Sequence, residues 1–175
     1  MDIHRPSLEA ARAKGIFDDH IVGDIRHIGS LFKGKSFDAV VAFDLIEHLT
    51  KDEGYRLVQD MERLAKKVIL IFTPNGFFEQ EEYDQNPWQK HQSGWAFREM
   101  ERLGFQVYGI NGWKQLRGRL ALPRLKPYWI GFFFSNLSWL LLRLARLEQF
   151  SFHILCIKNL APSSGRTDAA PLGIK

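Results

Sequence analysis

Apolar residues gather in two near-continuous runs, Phe37–Phe43 (FDAVVAF) and Val68–Phe72 (VILIF), with a segment of helical periodicity between them. Runs of this kind read as strands covered on both faces. The segment between them has its stripe at Leu57, Val58, Met61, Leu64 and Ala65, and it opens on Thr50-Lys51-Asp52-Glu53, the pattern of a capping box. The unit is therefore strand–helix–strand, with polar residues (Asp44, then Thr73-Pro74-Asn75-Gly76) just after each strand. In open α/β sheets that carboxyl edge is where ligands bind.

The flanking pattern extends the same theme. Met1-Asp2-Ile3 reads as the end of a strand, followed at once by a helix with Pro6 in its first turn, Leu8, Ala10 and Ala11 on its apolar face, and Gly15 as its stop. His20–Asp24 is a short strand. Residues 76–92 are polar and aromatic without a period, which marks a long loop of the kind that covers sites. Ser93 is placed to cap a helix with Ala96, Met100 and Leu103 on its inner face, closed by Gly104. Phe105–Ile110 and Ser151–Ile157 are the last two strands. Between them lies an insertion at 114–149, and from Asn159 the Pro, Ser, Gly and Ala content predicts a disordered tail over 159–175.

Composition narrows the class. At 175 residues and 45% hydrophobic, the chain is long enough for one domain with a real core, assigned here to 1–158. The single cysteine, Cys156, sits in an apolar run and excludes an internal disulfide. The N-terminal stretch has no apolar core of a signal peptide, so the expected location is cytoplasmic. Charge is sharply divided: residues 1–101 carry 13 Lys/Arg against 18 Asp/Glu, whereas 102–147 carry eight basic residues and no acid. A basic block of that kind calls for an anionic partner.

The order strand end, helix, strand with Gly23-Asp24, strand with Asp44 and Glu47-His48, helix, strand with Thr73–Gly76, helix and two final strands resembles class I S-adenosylmethionine-dependent methyltransferases, in their small-molecule, type 11-like branch. The resemblance covers residues 1–115 and resumes at 151–158. It implies an α/β, Rossmann-like sheet, mostly parallel with an antiparallel last strand and a helical insertion before it. It also implies S-adenosylmethionine as cofactor and methyl transfer to a small-molecule acceptor. By the same resemblance Asp2 accepts from the ribose hydroxyls, Asp24 and Ile25 flank the adenine, and Phe43 and Asp44 flank the methionine part. Glu47 and His48 become the catalytic pair, because an imidazole is the natural base for a hydroxyl or amine at neutral pH. Asn75, Trp88, His91 and Trp95 are expected to line the acceptor pocket, where aromatic side chains stack on rings. Loop packing is an equal reading for these four, as helix capping is for His48. In some relatives the Glu-His pair helps hold a divalent metal; no second ligand cluster is visible here, and no metal is assigned.

The Gly-rich cofactor turn that the family places between its first strand and first helix has no counterpart in the sequence. The expectation is a sheet lacking its first strand and helix, from a shortened product or a misplaced start codon, with weak cofactor binding and weak or no activity. Two other classes stay open. One is a non-catalytic remnant that binds a membrane or partner through the insertion. The other is a nucleotide-dependent oxidoreductase, which the absence of a Tyr-x-x-x-Lys signature disfavours. Within the insertion, residues 127–142 form a 16-residue stretch without charge, rich in Phe, Trp and Leu. It is shorter than the roughly 20 residues of a spanning helix. Arg117, Arg119, Arg124 and Lys126 precede it, and Arg143 and Arg146 follow. Gly131, Ser135 and Ser138 share one side, smooth enough for another helix to approach. The segment reads as a lid or a homodimer contact over 127–147, as a helix on an anionic membrane surface, or, least of all, as a span; nucleic acid ranks low.

Overall fold

The computed structural model describes residues 1–81, 86–118 and 121–160. In chain order these form α1 (Arg5–Ala13), the short α2 (Ile28–Leu31), β1 (Phe37–Phe43), α3 (Lys51–Leu64), β2 (Ala65–Pro74), α4 (Phe97–Arg102), β3 (Gln106–Trp113), α5 (Tyr128–Leu144) and β4 (Ser151–Asn159). The capping box forms as expected. The Glu53 N–H donates to Thr50 Oγ1 (3.4 Å) and the Thr50 N–H donates to the Glu53 carboxylate (2.9 Å), which fixes the start of α3.

The four strands make one sheet in the order β1-β2-β4-β3. β1 and β2 are parallel, with Val40 opposite Ile69 and Phe43 opposite Phe72. β4 runs antiparallel to both its neighbours, β2 and β3. This is the expected α/β, Rossmann-like arrangement with an antiparallel last strand. Leu57, Val58, Met61 and Leu64 of α3 are buried in one core with Ala42, Ile69 and Ile71, each full burial being worth about 1.5–3 kcal/mol.

Several expectations are corrected. β1 is covered on one face only: Val41 and Phe43 are 55% and 56% exposed, because α3 covers the opposite face and β1 is the edge of the sheet among the described residues. Strand character at the N-terminus is limited to a single parallel bridge, Asp2 to Val22, outside that sheet. Ser93 does not cap a helix. Its hydroxyl donates to the Ile46 carbonyl (3.4 Å) and accepts from the Trp95 indole N–H (3.0 Å), and α4 begins instead at Phe97. β4 extends through Asn159, and the Leu160 N–H donates to the Lys67 carbonyl (2.6 Å), so the start of the expected tail is ordered; residues 161–175 of it lie outside the described residues. Among the described residues, the small-residue side of α5 packs on β3, where a Cβ at Gly112 would overlap the Ser135 carbonyl and the Trp113 N–H donates to Ser138 Oγ (2.9 Å).

Candidate active site

β1 ends in Asp44, a non-glycine residue at φ 46°, whose N–H donates to the Phe72 carbonyl at the end of β2 (2.9 Å). Left-handed backbone at a side-chain-bearing residue costs energy and concentrates at functional sites. The turn it starts carries Ile46–His48 as a single 3₁₀ turn, leading into α3. Ile46 faces the core, and Glu47 and His48 face a cavity of about 800 Å³ at the carboxyl ends of β1 and β2.

The long loop is buckled to this turn. The N–H groups of Gln92 and Ser93 both donate to the Glu47 carbonyl (2.9 and 3.1 Å), and the Gln92 side chain donates to the His48 carbonyl (2.7 Å). The result is a wall of the cavity that holds His91 beside His48, their rings 4.9 Å apart and edge to face. Each imidazole has Nδ1 against a backbone carbonyl, His48 on Lys90 (3.2 Å) and His91 on Phe78 (2.7 Å). With Nδ1–H donating there, each Nε2 carries the ring's lone pair, which has no hydrogen-bond partner among the described residues.

Electrostatics sharpen the arrangement. Burial pushes the Glu47 carboxyl up to about 7, against the hydrogen bond that Thr73 Oγ1 donates to it at 2.9 Å. Burial raises Asp44 as well, with the neighbouring His91 pulling the other way. Burial holds His48 and His91 below the ordinary imidazole value, so both stay neutral at physiological pH. One ligand atom from each of Glu47, His48 and His91 lies within 4.8 Å of the others, the spacing of a divalent-metal cluster. Nδ1–H groups anchored on carbonyls are the usual support for metal-bound imidazoles.

The opposite wall comes from β3, β4 and the basic arm. His153 is stacked on Phe72 at 4.8 Å and accepts from the Asn111 amide at Nδ1 (2.8 Å). Burial, with the Arg117 charge behind it, pushes His153 down to about 4. Arg117 itself is buried, donating from Nε to the Asn111 carbonyl (2.7 Å) and to Ser135 Oγ (2.9 Å). Sequence reasoning missed Asn111, Arg117 and His153. Only His153 left a signal, as a lone titratable residue in the apolar run SFHILCI.

The other expected site residues divide. His91 lines the cavity. Trp95 is fully buried in the core, and Asn75 is a structural clamp whose amide donates to the Gln149 and Ser151 carbonyls (2.8 and 2.9 Å). Trp88 lies away from the cavity, with the Arg26 guanidinium 5.6 Å above its ring. Of the expected cofactor contacts, Asp44 borders the cavity and Phe43 is exposed just before it. Asp2 is exposed and accepts from its own neighbour, the His4 N–H (2.8 Å). Asp24 is already engaged by the side chain of Arg26 (2.5 Å to Nη2), which holds its carboxyl below the usual range, and Ile25 beside it packs against the core. Asp2, Asp24 and Ile25 are thus not among the residues lining the cavity that Asp44 borders; the Asp2 carboxylate is exposed and that of Asp24 is occupied by Arg26.

Residues 1–72 match the family model described as a methyltransferase domain. Over these residues the chain is similar to methyltransferase domains. No curated protein matches the chain. Among solved structures, a SAM-dependent methyltransferase from Archaeoglobus fulgidus is 15% identical, with 87% of this chain and 80% of that one covered and a TM-score of 0.45. The small RNA methyltransferase HEN1 is 15% identical over 97% of this chain but only 21% of its own, with a TM-score of 0.47.

Proposed function

We propose that the chain carries the acceptor side of an S-adenosylmethionine-dependent methyl transfer to a small molecule, with His48 as general base. The observation that supports this best is the convergence of Asp44, Glu47 and His48, from the family-matched segment, on one cavity at the carboxyl ends of parallel strands. When bound, the cofactor supplies an activated methyl group. Asp2 would accept hydrogen bonds from its ribose hydroxyls, and Phe43 and Asp44 would border its amino-acid end. Nε2 of His48 takes the proton of the acceptor hydroxyl or amine as that group attacks, and the Lys90 carbonyl on Nδ1 keeps the ring in the required tautomer. Positioning of the two reactants inside the cavity supplies most of the acceleration.

A nuclear magnetic resonance titration of residues 1–175 with S-adenosylhomocysteine tests the cofactor assignment. With Asp24 occupied by Arg26, binding is expected at millimolar rather than micromolar concentration, about 4 kcal/mol of affinity. Saturable shifts should centre on Asp2, Ile25, Phe43 and Asp44. If these four stay unmoved while other residues shift, or nothing shifts, the assignment is wrong.

The clustering of Glu47, His48 and His91 favours a second reading of the same site, in which a divalent cation orients the acceptor oxygen. Manganese added to the same sample should then broaden the signals of all three residues selectively, and His91→Ala should remove the effect. Uniform broadening, or broadening only at surface carboxylates, leaves His48 as a base without metal.

A further inference from the structure

We propose that the outward face of α5 is a docking surface for anionic lipid membranes. At 100° per residue, Trp129, Phe133, Leu137, Leu140 and Leu144 form one stripe on the side opposite Gly131 and Ser135. All five are exposed, Trp129 at 72%, Phe133 at 63% and Leu144 at 73%. The stripe carries no charge and only Asn136 at its edge is polar, whereas a helix lying on a soluble body normally turns charged residues outward. Contiguous apolar exposure of this extent marks an interaction site.

The helix is held rigidly in that orientation. Ser135 Oγ accepts from Arg117 Nε (2.9 Å) and donates to the Asn111 carbonyl (3.0 Å), while the Trp139 indole N–H donates to the Gly109 carbonyl (2.9 Å). These contacts fix the small-residue side to β3, so the aromatic side has no described element to turn towards.

Charge decides the partner. Residues 102–147 contain no Asp or Glu, and α5 is bracketed by Arg124 and Lys126 at one end and Arg143 and Arg146 at the other. Two of these cations hold their charge near an aromatic ring, Lys126 Nζ over Tyr128 (5.8 Å) and the Arg143 guanidinium over Trp139 (5.9 Å), and both residues are exposed. A second copy of the same helix would bring cation against cation whether paired parallel or antiparallel; Glu101 and Glu148 lie beside Arg143 and Arg146 at one end only, and no acid lies near Lys126 within 102–147 of the sequence. An anionic lipid surface supplies the missing countercharge. The 17 residues of α5 are about 25 Å long, short of the roughly 30 Å hydrocarbon core, and no helix among the described residues is long and apolar enough to cross a membrane. The helix therefore lies in the interface plane.

Flotation of the full chain with phosphatidylcholine vesicles, with and without phosphatidylglycerol, tests this. Binding is expected only with phosphatidylglycerol, weakening as salt is raised, with a blue shift of tryptophan fluorescence that Trp129→Ser diminishes. Phe133→Asp with Leu140→Asp should lower partitioning about tenfold or more. Lys126→Glu with Arg143→Glu should abolish the dependence on anionic lipid. All five positions are exposed, and unchanged circular dichroism confirms that each variant folds. The proposal is overturned if wild type and variants remain equally unbound. It is also overturned if the protein sediments as a dimer that the same substitutions dissociate, because the occupant is then a second copy.

Discussion

Trp95→Ala should cost about 3–5 kcal/mol of stability, the largest effect of any single truncation expected in this chain. The indole is fully buried, lies against Gly54 of α3 where a Cβ would overlap it, and meets the Tyr55 ring edge to face at 5.2 Å. The Lys51 ammonium sits 3.7 Å above its ring. Removal leaves a cavity and also takes away the hydrogen bonds that the indole N–H donates to the Ile46 carbonyl and Ser93 Oγ. For a domain of this size the melting temperature should fall by about 10 °C or more. Urea unfolding checks the number, and Trp95→Phe should recover part of it. A variant that kept wild-type stability while losing acceptor binding would return Trp95 to the pocket wall.

Glu47→Gln should stabilise the protein at pH 8 and leave it almost unchanged at pH 4. The Glu47 carboxyl titrates near 4.5 in the unfolded chain and is pushed up to about 7 in the fold, with burial as the main cause. Between those values the folded state holds a proton that the unfolded state has lost, so stability falls as pH rises through the window. Its favourable contribution is complete below about pH 4.5 and gone above about pH 7. The difference corresponds to about 3 kcal/mol at most. Glutamine keeps an oxygen for the Thr73 hydroxyl and carries no charge, so it removes the high-pH penalty without opening a cavity. Denaturation at pH 4, 6 and 8 would show the gain growing with pH. A gain of equal size at all three would mean that Glu47 is not the titrating group. If Glu47 binds a cation, added manganese should favour the wild type over the variant, which separates the two roles.

The strand–helix–strand unit was legible because its signals are local: two apolar runs, a capping box and a 3.6-residue stripe, which appear where they were read except that Ala65, the last of the stripe, opens β2. What failed depended on neighbours. An apolar run does not say whether each face will be covered, and β1 turned out to be an edge with Val41 and Phe43 exposed. Ser93 has a capping residue's chemistry, yet the buried indole two residues later is a stronger competitor for its hydroxyl. In the site, Asp44, Glu47 and His48 were readable because a single turn holds them. His91 was named, but its meeting with Glu47 and His48 needs the loop carbonyl and amide contacts that only folding supplies. Asn111, Arg117 and His153 arrive from two strands and an arm whose pairing has no local code. Trp88 and Trp95 were assigned to the pocket on aromatic character alone, and that character serves a core equally well.

β4 is the last described strand to be synthesised and the one that joins the others, since β2 pairs with it on one side and β3 on the other. A nascent chain that has reached residue 150 therefore carries two sheet edges with no partner between them, with the apolar α5 already made. Such a species invites association with other chains and depends on being held apart until Ser151–Asn159 has emerged. A frameshift or proteolytic cut that removes these nine residues should not yield a slightly shorter protein. It should yield a β1–β2 pair and a lone β3 that never join, so the cell's quality-control machinery, rather than any loss of chemistry, would be the first to register the lesion.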